Sequence, residues 1–145
     1  MQSRGRSAVW RDRWVRVLLD THIALWAIVD DARLSANARR TIGDPANEIL
    51  VSAASIWEIA IKRALARGAP SDMPISAVQA LGYFRQAGYS LLNITAEHAA
   101  AVESLPPRHS DPFDRILIAQ ALTEPLHLLT HDRIVAGYGG TIVEV

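Results

Sequence analysis

The chain reads as an α/β domain, a three-layer sandwich in which helices cover both faces of a five-stranded parallel sheet. Three observations predict this. Five short segments are nearly continuous apolar runs, as strands buried on both faces must be, rather than alternating ones. Helical stretches lie between them, and strand–helix alternation is the pattern that yields a parallel sheet. Finally, 145 residues, half of them apolar, suffice for one core that buries roughly 70% of the unfolded surface.

The elements follow in order. "VRVLLD" (15–20) is the first strand. The helices "THIALWAIVD" and "SANARRTIG" come next, the latter ending on a glycine suited to a C-cap. "EILVS" (48–52) is the second strand, followed by the helix "SIWEIAIKRALARG", which again closes on glycine. The helix "ISAVQALGYFRQAG" leads into the third strand, "YSLLNI" (89–94). "TAEHAAAVESLP" and "DPFDRILIAQALTEP" are helices stopped by proline. "LHLLT" (126–130) and "TIVEV" (141–145) are the last two strands. No internal repeat or linker divides the pattern, so residues 15–145 form one domain and residues 1–14 a basic, flexible N-terminal extension.

The zero net charge conceals an asymmetry. Residues 1–16 carry five arginines against one aspartate, a surplus of four positive charges that the remaining residues cancel. The body is therefore mildly acidic and does not hold nucleic acid by bulk charge. The absence of cysteine excludes disulfides and thiolate metal sites and suits a reducing cytoplasm. No apolar run approaches 18 residues, which argues against a membrane span, and the arginine-rich start lacks the apolar region of a secretory signal.

The first and fourth strands close on carboxylates, Asp20 and Asp132. In open parallel sheets ligands sit outside the carboxyl ends of the strands, so these two acids belong to one edge although 112 positions separate them. Glu58, six residues beyond the second strand, falls near the same edge. Taken alone it also fits an S-x-x-E capping box with Ser55 and an i,i+4 pair with Lys62. Asp111 has the place of an N-cap, with Pro112 first in the helix. Asp114 faces the positive end of the helix dipole, which accounts for only about 0.3–1 kcal/mol.

Asp20, Glu58, Asp114 and Asp132 together imply more than each alone. Two carboxylates about 6 Å apart repel by roughly 3 kcal/mol at an effective dielectric near 20. Several such pairs are heavy against a total stability of about 5–15 kcal/mol. A divalent cation or protonation relieves them, and for a cation oxygen ligands without thiolates select a hard ion, Mg²⁺ or Mn²⁺. Such an ion polarises a phosphate oxygen and generates hydroxide from water, the chemistry of a phosphodiesterase.

"LLDTHIALW", "VSAASIWEIAIK", "DPFDRILIAQA" and "LLTHD" together resemble the PIN-domain family, closely its VapC-type toxin ribonucleases. The resemblance spans about residues 15–145 with all four motifs in order. It implies a Mg²⁺- or Mn²⁺-dependent endoribonuclease, commonly a homodimer, silenced by a small antitoxin protein. It implies that Asp20, Glu58, Asp114 and Asp132 are the catalytic and metal-binding residues, Asp111 being a feature of the "DPFDR" form of the motif. The basic start is the main departure from the family pattern.

Lys62, Arg63 and Arg115 flank the acids, either as accessory contacts to an RNA backbone or to developing phosphorane charge, or as a solvated helix face with ordinary ion pairs. His22, His109 and His131 also neighbour the acids. As ligands they would imply a softer metal, and the expectation is that they orient carboxylates or touch phosphate instead. Exposed, unstacked RNA is the expected substrate. Large apolar residues including Trp26 and Trp57 either suit an amphipathic antitoxin segment or belong to the core.

Competing classes fit less well. A receiver domain needs a lysine after a late strand, whereas the only lysine is Lys62. A haloacid-dehalogenase-type phosphatase needs D-x-D, whereas Asp20 is followed by Thr21 and His22. HD-type phosphohydrolases set their motif among helices. The remaining alternative is a non-catalytic PIN-fold binding module with a vestigial metal site.

Overall fold

Strands β1 (Val15–Leu19), β2 (Asn47–Ser52), β3 (Ser90–Leu92), β4 (His127–Thr130) and β5 (Ile142–Glu144) form a sheet in the spatial order β3-β2-β1-β4-β5. Every adjacent pair is parallel. The structure is a computed structural model that describes residues 15–69 and 73–145. The expected extension, residues 1–14, lies outside the described residues. Seven α-helices are described: α1 (Thr21–Val29), α2 (Ala36–Gly43), α3 (Ala53–Ala64), α4 (Ala77–Gln86), α5 (Ala96–Ala101), α6 (Pro112–Thr123) and α7 (Arg133–Ala136). A 3₁₀ turn at Val102–Ser104 extends α5.

Side chains of successive strand residues point to opposite faces, and here each face has its own core. Val17, Leu19, Ile49, Val51 and Leu129 pack with Ile23 of α1, Ala38 of α2, Ile59 of α3 and Phe84 of α4. Leu18, Leu50 and Leu128 turn the other way, against Leu117, Ile118 and Ala121 of α6 and Val135 of α7. This double coverage is why the strands read as unbroken apolar runs. Val17, Leu18 and Leu19 are fully buried in the central strand.

Two helix ends differ from the sequence expectation. Gly43 is the last residue of α2 and not its cap; Asp44, in extended backbone, follows it as the C-cap. The α3 helix starts at Ala53 and ends at Ala64, so Gly68 (φ +86°) lies in the connection beyond it. Glycine is required instead after α4. Gly88 adopts φ +83°, and the Tyr89 N–H reaches back to the Phe84 carbonyl at 3.0 Å. That is the hydrogen-bond pattern of a Schellman cap. The Phe84 and Tyr89 rings stack 6.1 Å apart across the turn.

The register places the chemistry. Leu19 is level with Val51 on β2 and with Leu129 on β4. The next residues along the three strands, Asp20, Ser52 and Thr130, therefore stand side by side. Strand order reverses between β1 and β4, since the chain first builds outward through β2 and β3 and then returns. Crevices at such reversals are where ligands bind in α/β sheets.

Candidate active site

Asp20 leaves β1 and caps α1. One oxygen accepts the Ile23 N–H at 2.8 Å, and the other accepts the Thr130 hydroxyl at 2.6 Å. The residue is only 5% exposed, so these bonds replace the water it would otherwise keep. The Thr130 hydroxyl oxygen also accepts the Asp132 backbone N–H at 3.0 Å. One side chain thus ties the ends of β1 and β4 together.

Glu58 lies in the second turn of α3 and is buried. The N-cap of α3 is Ser52, whose side chain accepts the Ala54 N–H, so the capping box expected of Ser55 and Glu58 does not form. Ser55 sits inside the helix instead. Glu58 Oε1 accepts the Thr21 hydroxyl at 2.8 Å, and Oε2 pairs with Lys62 Nζ at 2.7 Å. With its proton given to the carboxylate, the Thr21 oxygen accepts from Ser55, 2.8 Å away. The expected i,i+4 pair with Lys62 is present, and a relay of hydroxyls joins Glu58 to the residue after Asp20.

Asp111 caps α6, accepting the N–H groups of Phe113 at 2.8 Å and Asp114 at 3.3 Å, with Pro112 in the first helical turn. Asp114, one turn in, pairs through Oδ2 with His109 Nε2 at 2.7 Å. Asp132 caps α7 through the N–H groups of Ile134 and Val135, and its Oδ2 is 3.6 Å from the same imidazole nitrogen. His109, Asp114 and Asp132 each offer one ligand atom within 4.8 Å of the other two. Asp20 and Glu58 stand outside that group of three. His131 lies between, its Nδ1 3.7 Å from Asp20 Oδ2.

The electrostatics match this crowding. Burial, followed by the negative charge of Asp111, pushes the Asp114 carboxyl up to about 6, against the opposing pull of His109. Contact with Asp20 raises the His131 imidazole, with further support from Asp132 and Asp114.

The basic and aromatic residues divide between scaffold and surface. Arg115 points at the loop before α6, where its guanidinium donates to the carbonyls of Val102, Leu105, Pro106 and His109. Arg63 donates to the Met73 carbonyl. Trp26 is half-buried on the core of α1, with the Arg33 guanidinium 5.0 Å over its ring and the His131 ring 4.8 Å away. Trp57 is 59% exposed beside Phe113. With Ile56, Ala60 and Leu81 it lines a cleft of about 340 Å³ between α3 and α4.

Sequence reasoning did not single out Thr21 and Thr130 as grips on the acids, or Tyr138. The Tyr138 hydroxyl accepts the N–H groups of Arg108 and His109 and donates to the Pro106 carbonyl. Thr21 and Thr130 adjoin the acidic motifs, and that adjacency was the available signal. Nothing local marks Tyr138.

Comparison with known proteins accords with this geometry. The model of the PIN domain family matches residues 17–140. Ribonuclease VapC22 of Mycobacterium tuberculosis (strain ATCC 25618 / H37Rv) is 32% identical over 120 residues, which covers 81% of this chain and 87% of that protein. Among solved structures, DNA-bound VapBC from Salmonella typhimurium superposes with a TM-score of 0.63 at 13% identity, covering 90% of this chain and 98% of the other. A toxin–antitoxin complex from Klebsiella pneumoniae gives 0.60 at 16% identity, with 89% and 99% covered. At such identities the structural likeness shows the shared fold.

Proposed function

The chain belongs to the PIN-domain family, and from that premise we propose that it is the toxin of a type II toxin–antitoxin pair, a Mg²⁺- or Mn²⁺-dependent endoribonuclease. What supports this reading is the carboxyl edge where strand order reverses: Asp20 is tied there to Thr130, the last residue of β4, Asp114 and Asp132 share His109, and Glu58 acts electrostatically on Asp114. The ribonuclease name of the 32% identical relative supports it.

The residues present fit a divalent ion. Neighbouring ligands on an ion with bonds of about 2.1 Å lie about 3 Å apart and opposite ones about 4.2 Å; Asp114 Oδ2 and Asp132 Oδ2 lie 2.7 and 3.6 Å from His109 Nε2, and a small contraction of the 4.8 Å within which the three groups offer ligand atoms brings them to those separations. Asp20, Asp114 and Asp132 would hold the ion, with Glu58 completing the shell or positioning water. When bound, it supplies Lewis acidity toward a phosphate oxygen and a source of hydroxide at neutral pH.

The chain's own groups do the rest. Thr130 and the Ile23 N–H keep the Asp20 carboxylate aimed along the edge. Thr21 and Lys62 fix both oxygens of Glu58. His131, its imidazole raised by its acidic neighbours, supplies positive charge for an approaching phosphate. Single-stranded or loop RNA suits an open edge site.

The partner is a small antitoxin whose amphipathic segment occupies the cleft lined by Trp57 and Leu81. The Klebsiella relative being a toxin–antitoxin complex supports that assignment. The toxin itself acts as a homodimer, measurable by light scattering. Among the described residues no helix is long and apolar enough to cross a membrane, and we place the protein with its RNA in the cytoplasm.

Cleavage of a fluorescent single-stranded RNA tests the activity. The expected result is Mg²⁺- or Mn²⁺-dependent cleavage that EDTA abolishes and Asp20→Asn reduces at least about 100-fold, the scale of losing one electrostatic catalytic group. Equal, metal-independent cleavage by both proteins would refute the reading. Pull-down of the neighbouring gene product by wild type, lost in Trp57→Asp, tests the partner.

A further inference from the structure

We infer that His109 is a nitrogen ligand of the metal, joining Asp20, Asp114 and Asp132 so that this protein binds its cation through a mixed imidazole–carboxylate shell. The inference rests on the metal-dependent nuclease reading and goes beyond it. Four acids alone describe an all-oxygen site, and a histidine there changes which ion the site prefers.

The first argument is distance. His109 Nε2 lies 2.7 Å from Asp114 Oδ2 and 3.6 Å from Asp132 Oδ2. Neighbouring ligands on an ion with bonds of about 2.1 Å are about 3 Å apart; the 2.7 Å contact is a hydrogen bond in the metal-free protein, and an ion could take the place of its proton with little movement of either group. His109, Asp114 and Asp132 form the one compact group of three such ligands among the described residues.

The second argument is the way His109 is held. It lies in the connection before α6, with no helix or strand of its own to orient it. Side chains from elsewhere grip its backbone at both ends. The Tyr138 hydroxyl accepts its N–H at 2.9 Å, and Arg115 Nη1 donates to its carbonyl at 3.1 Å. Arg115 and Tyr138 are themselves joined, and both reach the Pro106 carbonyl. The segment that carries the imidazole is thereby fixed by Tyr138 and Arg115 before any ion arrives, the preorganisation that a metal-ligand residue needs.

The chemical consequence is selectivity. Mg²⁺ is a hard ion that favours oxygen, whereas imidazole suits transition metals. A nitrogen donor raises affinity for Mn²⁺ relative to Mg²⁺. Arg115 thereby acquires a role distinct from contacting RNA: it positions a ligand.

The test uses the full chain and Mn²⁺ alone, with no RNA. Pulsed electron paramagnetic resonance of the Mn²⁺-loaded protein should show ¹⁴N modulation from a coordinated imidazole, present in wild type and in His131→Gln and absent in His109→Gln. Titration calorimetry should show His109→Gln binding Mn²⁺ about tenfold or more weakly with a smaller change for Mg²⁺, and Tyr138→Phe weakening Mn²⁺ about tenfold. Circular dichroism identifies the variants that are folded. Mn²⁺ binding without nitrogen modulation, or modulation that persists in folded His109→Gln, would overturn the inference while leaving the nuclease reading intact. Failure of wild type to bind Mn²⁺ would overturn both.

Discussion

Replacing Thr130 by valine removes one hydroxyl and almost no volume, yet that hydroxyl serves two acids. It donates to Asp20 Oδ2 at 2.6 Å and accepts the Asp132 N–H at 3.0 Å, in a fully buried position. A hydrogen bond to a charged group contributes about 1.5–3 kcal/mol and a neutral one about 1 kcal/mol. The metal-free Thr130→Val protein should therefore be about 3 kcal/mol less stable than wild type. For a domain of this size that lowers Tm by about 10 °C. Thr130→Ser keeps the hydroxyl and loses one buried methyl, worth about 1 kcal/mol. Thermal unfolding followed by circular dichroism in EDTA separates the two, with valine the more damaging. Thr130→Val as stable as Thr130→Ser would refute the claim that this hydroxyl holds the two strand ends together.

Asp114 gives a pH prediction with a definite sign. Its carboxyl is raised from 3.8 to about 6 in the folded protein, so the folded state retains a proton that the unfolded state releases. Stability of the metal-free protein relative to Asp114→Asn should then fall as pH rises from about 4 to about 6 and level off above, as urea titrations across that range would show; a rising difference would contradict it. Asp111→Ala should lose about 1 kcal/mol through the uncapped α6. Asp111→Ser should restore that stability and keep RNA cleavage, and loss of cleavage in a stable Asp111→Ser would instead make this residue part of the chemistry. Leu18→Ala, in the middle of the central strand, should cost about 3 kcal/mol in urea denaturation.

The sheet could be read from sequence because each strand is buried on both sides, which leaves a continuous apolar signature from Val17 to Leu19 and from Ile49 to Val51. Asp20 and Asp132 stand out because each is a carboxylate at the close of such a run, although Asp20 itself stays buried. Glu58 was harder to place. Ser52 and Ser55 are both competent caps, and only the packing of α3 on the sheet decides that the helix starts at Ala53. Gly43 shows the same limit, since a glycine near a helix end is compatible with a cap without requiring one. Contacts between distant segments left no local trace. Thr130 meets Asp20 across 110 positions, and Tyr138 holds His109 across 29. His109 was visible beside the "DPFDR" motif, but which atom it presents, and to what, depends on that distant tyrosine.

Because β4 lies between β1 and β5, the first strand lacks a neighbour on one side until residues 127–130 arrive. A polypeptide still emerging from the ribosome therefore lacks both the hydroxyl that fixes Asp20 and the fourth carboxylate until nearly the whole chain has been translated. The order of synthesis itself therefore sets when the carboxyl edge is complete, because Asp20 gains its Thr130 partner only after residues 127–130 join the sheet.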